Sequence, residues 1–193
     1  MSRAIAIPQH KLTFKTVDEF EAWVGNNSLL NDKRFEFVNG KIIEKSGMKQ
    51  EEFYIAQFLM RLFAKTKAYA DGGELIVESD SHIDNKRKRI ADVGYFTEKQ
   101  ITEARKGKRF APALAIEILS PNEKMEEIAD KIQDYFDAKV QLVWYILPKQ
   151  EQIYAYTSPT DLKIYKGLDI CSCLLYTSPS PRDATLSRMP SSA

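Results

Sequence analysis

Residues Leu114–Pro121 read LAIEILSP, an apolar run with a single carboxylate, Glu117, set in its middle. Such nearly continuous apolar character marks a strand covered on both faces, and therefore a central one. A carboxylate in that place is costly, because unpaired and buried it would take up a proton rather than stay charged. The same oddity recurs twice: RFEFVNG (Arg34–Gly40) holds Glu36 between two phenylalanines, and RIADVGYF (Arg89–Phe96) holds Asp92. A lone acid in a strand is ordinarily solvent-facing or salt-bridged. Three in one small domain point to a shared cation.

Alternation along the strand puts Glu117 on the face of Ala113 and Ala115, small residues that leave room for a cation and its waters. If the strand of Asp92 pairs with that of Glu117, the two carboxylates come close enough to share a hard cation. Mg²⁺ is held in this way, by one or two carboxylates with waters and phosphate oxygens. Lys131 adds a fourth charge. It lies three residues after Ile128 and four before Tyr135, at the border of the next helix's apolar face. From there its stem can cover apolar surface while its ammonium meets the acids. Lys124 competes for that role by spacing.

Outward from this centre, TVDEFEAWVG reads as a short helix capped by Thr16 and stopped at Gly25. Asn39-Gly40 joins two alternating runs as a hairpin, because both turn positions of that type require positive φ. Gln50 to Tyr69 has a helical period with Ile55, Phe58, Leu59, Leu62 and Phe63 on one stripe. ELIVESDSHI and RIADVGYF follow as strands, joined by a loop from Asp84 to Lys88. Ser120-Pro121-Asn122-Glu123 fits a capping box opening a helix to about Ala138, with Met125, Ile128, Ile132 and Tyr135 on its apolar face. QLVWYIL is a second buried strand, and EQIYAYT and DLKIY are outer ones. The pattern is α/β: a mixed central β-sheet flanked by helices.

The 193 residues suit one core, with 44% hydrophobic and 28% charged residues as in a soluble globular protein. No apolar run approaches the roughly 18 residues of a membrane helix, and MSRAIAIPQHK lacks the features of a signal peptide. A cytoplasmic location is expected. The net charge of +1 announces no nucleic-acid binder. Two basic clusters stand out nonetheless, Lys86, Arg87, Lys88 and Arg89 in one and Arg105, Lys106, Lys108 and Arg109 in the other. They read either as solvated loops or, beside an acidic site, as contacts to a phosphate backbone.

From Ser172 the character changes: of the last 22 residues 11 are Ser, Thr or Pro, without helical or strand period. Such a segment buries too little apolar surface to offset its ordering entropy. CLLYTSPSPRD also resembles a translated sequencing adapter. Residues 171–193 are therefore expected to be a disordered, foreign tail behind a domain over 1–170 whose own C-terminus is missing. Setting aside Arg182, Arg188 and Asp183 removes two of 28 basic and one of 27 acidic residues, leaving 26 of each. Cys171 and Cys173 sit at this junction, and a C-x-C pair alone is a poor metal site.

Four stretches carry a family likeness: FEFVNGKIIEKS, IADVGYF, PALAIEILSPNE and KIQDYFDAKVQLVWYILP. In order and spacing they resemble the bacterial "putative restriction endonuclease" family, a branch of the PD-(D/E)XK nuclease superfamily, over about Thr16 to Lys166. The resemblance implies a restriction-endonuclease-like fold and Mg²⁺-dependent hydrolysis of DNA phosphodiester bonds, with Mn²⁺ as a substitute ion. It places the metal-binding acids on Asp92 and Glu117, with Glu36 as a further acid able to reach a second metal. The superfamily's usual lysine position is Leu119 here. The K-x-x-x-Y pattern puts that lysine at Lys131, as in nucleases where it has moved to the next helix. Ala91 replaces the usual proline before the first aspartate, and Gln50 replaces a common histidine. DNA is the implied partner, with Lys86–Arg89, Lys108 and Arg109 along its backbone, and a homodimer is left open. Two rivals stand beside this reading: a nuclease-derived module that binds nucleic acid or protein without turnover, and a hydrolase of another phosphodiester.

Brief proteolysis of the purified chain is expected to trim it back to about residue 171 before the core is cut. Protection of the tail equal to that of the core would refute the tail's assignment.

Overall fold

A computed structural model of the chain describes residues 13–120, 123–167 and 169. The tail from 171 onward and the dipeptide 121–122 lie outside the described residues. In chain order the elements are α1 (Val17–Gly25), β1 (Arg34–Val38), β2 (Lys41–Lys45), α2 (Gln50–Phe63), α3 (Lys67–Ala70), β3 (Glu74–His82), β4 (Arg87–Phe96), α4 (Glu98–Ala104), β5 (Leu114–Ile118), α5 (Met125–Asp137), β6 (Leu142–Leu147), β7 (Gln152–Ser158) and β8 (Asp161–Lys166). The strands form one sheet, eight-stranded over the described residues, in the order β2-β1-β4-β5-β6-β7-β8 with β3 on β4. The fold is the mixed α/β sheet that the sequence predicts. No helix among the described residues is long and apolar enough to cross a membrane.

Local signals explain most element boundaries. Thr16 caps α1 by accepting from the Glu19 N–H at 3.2 Å. Asn39 and Gly40 take φ of 50° and 86°, as the β1–β2 hairpin requires. The long helix expected to Tyr69 instead ends at Phe63, because the Thr66 hydroxyl accepts from the Tyr69 N–H and starts a separate turn, α3. Thr97 and Gln100 form a capping box that opens α4, an element the hydrophobic period does not signal. The helix expected from Ser120 begins only at Met125, where Met125 is exposed rather than packed. Glu123 does reach back to accept from the Ser120 N–H at 2.9 Å, so the capping contact forms one turn ahead of the helix.

Strand β5 is buried along its whole length, antiparallel to β4 and parallel to β6. Two apolar layers cover the sheet. Ile116, Ile118, Val93 and Ile146 pack with Ala56 of α2, whereas Ala115, Ala91, Val143 and Tyr145 pack with Ile128, Ile132 and Tyr135 of α5. A third cluster joins α1 to β1, with Phe20 stacked on Phe37 at 5.1 Å between centroids.

One feature of β4 positions everything that follows. Its first edge pairs with β3 from Lys88 to Phe96. Its second edge is divided: Arg87 and Lys88 pair with β1, and Val93 to Tyr95 pair with β5. Between them, Arg89 to Asp92 face a gap where no strand supplies hydrogen bonds. Alternation also slips there, since Ala91 lies in the α5 layer and Val93, two residues on, in the α2 layer. Opposite Asp92 on β3, Glu78 takes φ of 47°, a backbone state uncommon outside glycine.

The basic run Lys86–Arg89 differs from its expected place on a loop, because β4 begins at Arg87. Arg87 pairs with Asp84, Asp134 and Asp137 at 2.7, 2.6 and 2.8 Å. Lys88 lies against Glu21 and Asp80 at 3.1 and 3.4 Å. Arg89 is buried between Glu36 and Asp134 at 2.9 and 2.7 Å. Three of these four cations are thus committed to the fold, which removes them as a free phosphate-contacting loop; Lys86 alone of the four is exposed. Replacing Arg89 by Met removes the cation shared by two buried carboxylates and leaves Glu36 with Lys131 at 3.8 Å and Asp134 with Arg87 at 2.6 Å, which is expected to cost about 3 kcal/mol. Denaturant unfolding measures this, and a loss below 1 kcal/mol would mean that Arg89 is not a structural cation.

Candidate active site

The gap in β4 gathers one side chain from each of five elements: Glu36 (β1), Lys45 (β2), Asp92 (β4), Glu117 (β5) and Lys131 (α5). The strand pairing expected for Asp92 and Glu117 is observed, with Val93 opposite Ile116. Asp92 Oδ2 accepts from the Ile118 N–H at 2.7 Å, so the side chain takes over where the β4–β5 ladder stops. On β5, Glu117 shares the face of Ala115, as alternation predicts, and its side chain is 2% exposed. Lys131 Nζ lies 3.2 Å from Glu117 Oε2 and 3.8 Å from Glu36 Oε1. The Tyr135 hydroxyl, one helical turn on, donates to Glu117 Oε1. Lys131 rather than Lys124 reaches the acids: Lys124 stands exposed at the start of α5, with Glu127 at 3.9 Å.

Glu36 departs from the three-acid cage that the sequence suggests. Its Oε1 accepts from the Ile90 N–H at 3.1 Å and its Oε2 from Arg89 at 2.9 Å, so it mends the gap and meets the site through Lys131. Among the described residues no group of three or more His, Cys, Asp or Glu side chains is placed to hold a metal ion together. The structure brings together Asp92 and Glu117, with Glu36 one lysine away.

Lys45 escapes the sequence reading. Its ammonium lies 2.8 Å from Asp92 Oδ1 and 4.0 Å from Glu117 Oε2, and it donates to the Ile90 carbonyl at 2.5 Å. The signal that finds it is the hairpin. A two-residue Asn-Gly turn fixes Glu36 opposite Ile43, which puts Lys45, two residues on, on the face of Glu36.

Burial and the charge of Glu117 push the Asp92 carboxyl up to about 6, against the pull of Lys45. Burial also works against ionised Glu117, but the Lys131 and Lys45 ammoniums and the Tyr135 hydroxyl hold it below the usual carboxylate range. Burial would lower both lysines. Instead the surrounding carboxylates, Glu117 foremost, raise them above the ordinary lysine value, so both stay charged. The two neighbouring carboxyls thus shift in opposite directions, Asp92 up through burial and the like charge of Glu117, and Glu117 down through two ammoniums and a hydroxyl. Asp92 Oδ1 and Glu117 Oε2 both turn toward one ammonium nitrogen, which marks where a cation is held. Two carboxylates converging on such a point suit a hard divalent ion that completes its shell with water and phosphate oxygens.

The family described as "Putative restriction endonuclease" (Uma2) matches residues 17–175 of the chain. No curated protein matches. Among solved structures, one titled "Crystal structure of a putative nuclease belonging to DUF820 from Anabaena variabilis" is similar, with a TM-score of 0.65 and 18% identity, covering 90% of this chain and 93% of that one. At that identity the likeness concerns the fold.

Because the folded-state value of Asp92 lies above its ordinary 3.8, the folded chain holds a proton that the unfolded chain has released between about pH 4 and 6. The stability contributed by Asp92 therefore falls as pH rises through that window, by roughly 2–3 kcal/mol in all. Subtracting the pH profile of Asp92→Asn from that of the wild type, both in chelator, should expose this fall. A difference that stays flat from pH 4 to 6.5 would contradict it.

Proposed function

The chain belongs to that Uma2 family, and on this premise we propose that it is a Mg²⁺-dependent endonuclease hydrolysing DNA phosphodiester bonds, with Mn²⁺ able to replace Mg²⁺. The observation that carries the reading is the convergence of Asp92 Oδ1 and Glu117 Oε2 beside Lys131 in a buried gap of the sheet. Asp92 and Glu117 would hold the metal. When bound, the ion supplies Lewis-acid polarisation of the phosphate and a water of lowered pKa.

The chain's own groups do the rest. The Lys131 ammonium, fixed by Glu117 and near Glu36, orients the attacking water or stabilises the extra negative charge of the transition state. Tyr135 holds the far oxygen of Glu117, which keeps Oε2 turned toward the site. Glu36 balances Lys131 and Arg89, and with its oxygens on the Ile90 N–H and Arg89 it serves as a support to the site rather than as a metal ligand. Lys86, Lys108 and Arg109 are exposed and are the cations we assign to the DNA backbone, Arg109 while also pairing with Asp18 and Glu21. The surface pair of Lys108 with Glu103 costs little to exchange for a phosphate contact.

Purified protein incubated with plasmid, single-stranded DNA and RNA, in Mg²⁺, Mn²⁺ or chelator, tests this function. Metal-dependent cutting of plasmid that is lost in Asp92→Asn and Glu117→Gln supports it. Cutting of RNA alone favours a hydrolase of another phosphodiester, and binding without cutting favours a nuclease-derived module. Lys131→Met keeps the apolar stem and should lower the rate about 10²–10³-fold, as for a lost transition-state donor. Metal-induced stabilisation should survive in that variant, and Lys124→Met should cut almost normally. A wild-type rate in Lys131→Met would remove Lys131 from the mechanism.

A further inference from the structure

Lys45 carries a role that the nuclease reading does not assign, and the inference rests on that reading's divalent metal. The residue ends β2, an edge strand of the sheet, and its side chain runs inward across the gap in β4. Only 14% of that side chain is exposed. Its ammonium bridges the two carboxylates proposed to hold metal, at 2.8 Å from Asp92 Oδ1 and 4.0 Å from Glu117 Oε2. Lys131 touches Glu117 from the helix side and turns its other flank to Glu36. The ammonium in the notch between Asp92 and Glu117 is therefore that of Lys45.

Around the notch, Glu36, Asp92 and Glu117 face Lys45 and Lys131, and Arg89 is shared between Glu36 and Asp134. A divalent ion entering beside both ammoniums would bring two further positive charges close to them in a poorly solvated gap, an arrangement that Coulomb repulsion disfavours. An ion that uses Asp92 Oδ1 must also displace the hydrogen-bond donor already there. Lys45 is the group that can leave: it sits at the last position of an edge strand, on a flexible four-carbon stem. Lys131 is anchored on α5 between two carboxylates.

We propose that Lys45 and the divalent cation are alternative occupants of the notch between Asp92 and Glu117. Without metal, the ammonium holds the two carboxylates together. On metal binding it withdraws toward the mouth of the gap, where it meets the negatively charged phosphate backbone. Lys45 is thus a positioning residue that sets metal affinity and couples metal entry to the phosphate.

Titration calorimetry with Mg²⁺, Mn²⁺ and Ca²⁺ in the absence of nucleic acid tests this on the wild type, Lys45→Met and Lys45→Gln. Gln keeps a donor for the Ile90 carbonyl should Met unfold the hairpin. Removal of the competing charge should tighten metal binding about tenfold or more, the scale of one lost ion pair. On the wild type, the ¹⁵Nζ signal of Lys45 should move toward that of a solvated lysine at saturating Mg²⁺, whereas the Lys131 signal stays shifted. Unchanged or weaker affinity in both variants, or an unmoved Lys45 signal in metal-saturated protein, would overturn this inference and leave the metal reading intact. No binding of any ion by wild type or variants would overturn both.

Discussion

The divided edge of β4 is the constraint on which the rest depends. A strand inside a sheet must satisfy N–H and C=O groups on both edges, and buried groups left without partners cost free energy. Here β1 and β5 share one edge and leave Arg89 to Asp92 between them. Side chains close the ladder instead: Glu36 takes the Ile90 N–H, Lys45 meets the Ile90 carbonyl, and Asp92 takes the Ile118 N–H. Two of the three acids of the candidate site, Glu36 and Asp92, are therefore also backbone partners, whereas Glu117 is held by Lys131 and Tyr135. Three carboxylates persist among apolar neighbours because each has at least one oxygen engaged by a donor.

The same gap organises the charges. Arg89 lies between Glu36 and Asp134, Lys131 between Glu36 and Glu117, and Lys45 between Asp92 and Glu117. Cations and anions alternate from the rim at Arg87 to the notch, in the order Arg87, Asp134, Arg89, Glu36, Lys131, Glu117, Lys45 and Asp92. A buried pair gains stability only when its remaining lone pairs and protons are also satisfied. That condition holds at Glu117, whose two oxygens meet Lys131 and Tyr135. The oxygens of Asp92 have partners too, Lys45 and the Ile118 N–H, yet burial and the neighbouring charge of Glu117 push its carboxyl up to about 6.

The sequence makes the acids legible because a carboxylate in an apolar run is anomalous, and the spacing from Ile128 to Tyr135 brings Lys131 with them. The mixed sheet, the Asn39-Gly40 hairpin and the central place of LAIEI follow from turn chemistry and burial pattern in the same way. Lys45 hides because a lysine at the end of an edge strand is what solubility alone would select. Only its register with Glu36 gives it away. The basic run from Lys86 misleads for a different reason: its partners Asp134 and Asp137 lie on a helix nearly fifty residues later, and no local pattern links them. The slip of alternation at Asp92 also has no signature in IADVGYF; it falls opposite the left-handed Glu78 on β3.

Side-chain length decides which acid does what. Asp92 stands on β4 itself, next to the first residue paired with β5, and its short carboxylate spans one strand spacing to the Ile118 N–H. Its other oxygen then faces the notch. Glu36 comes from β1 and needs its extra methylene to reach across to the Ile90 N–H, which leaves its second oxygen turned to Arg89. Glu117 points at α5 rather than along the sheet, so its oxygens meet side chains and not backbone. Asp92 Oδ1 and Glu117 Oε2 thus have lysine ammoniums as partners, Lys45 at the first and Lys131 at the second. Both oxygens of Glu36 are tied to fixed groups, the Ile90 backbone and a buried guanidinium. The division between the acids proposed to hold a metal and the acid that supports them follows from where β1 and β5 part along β4.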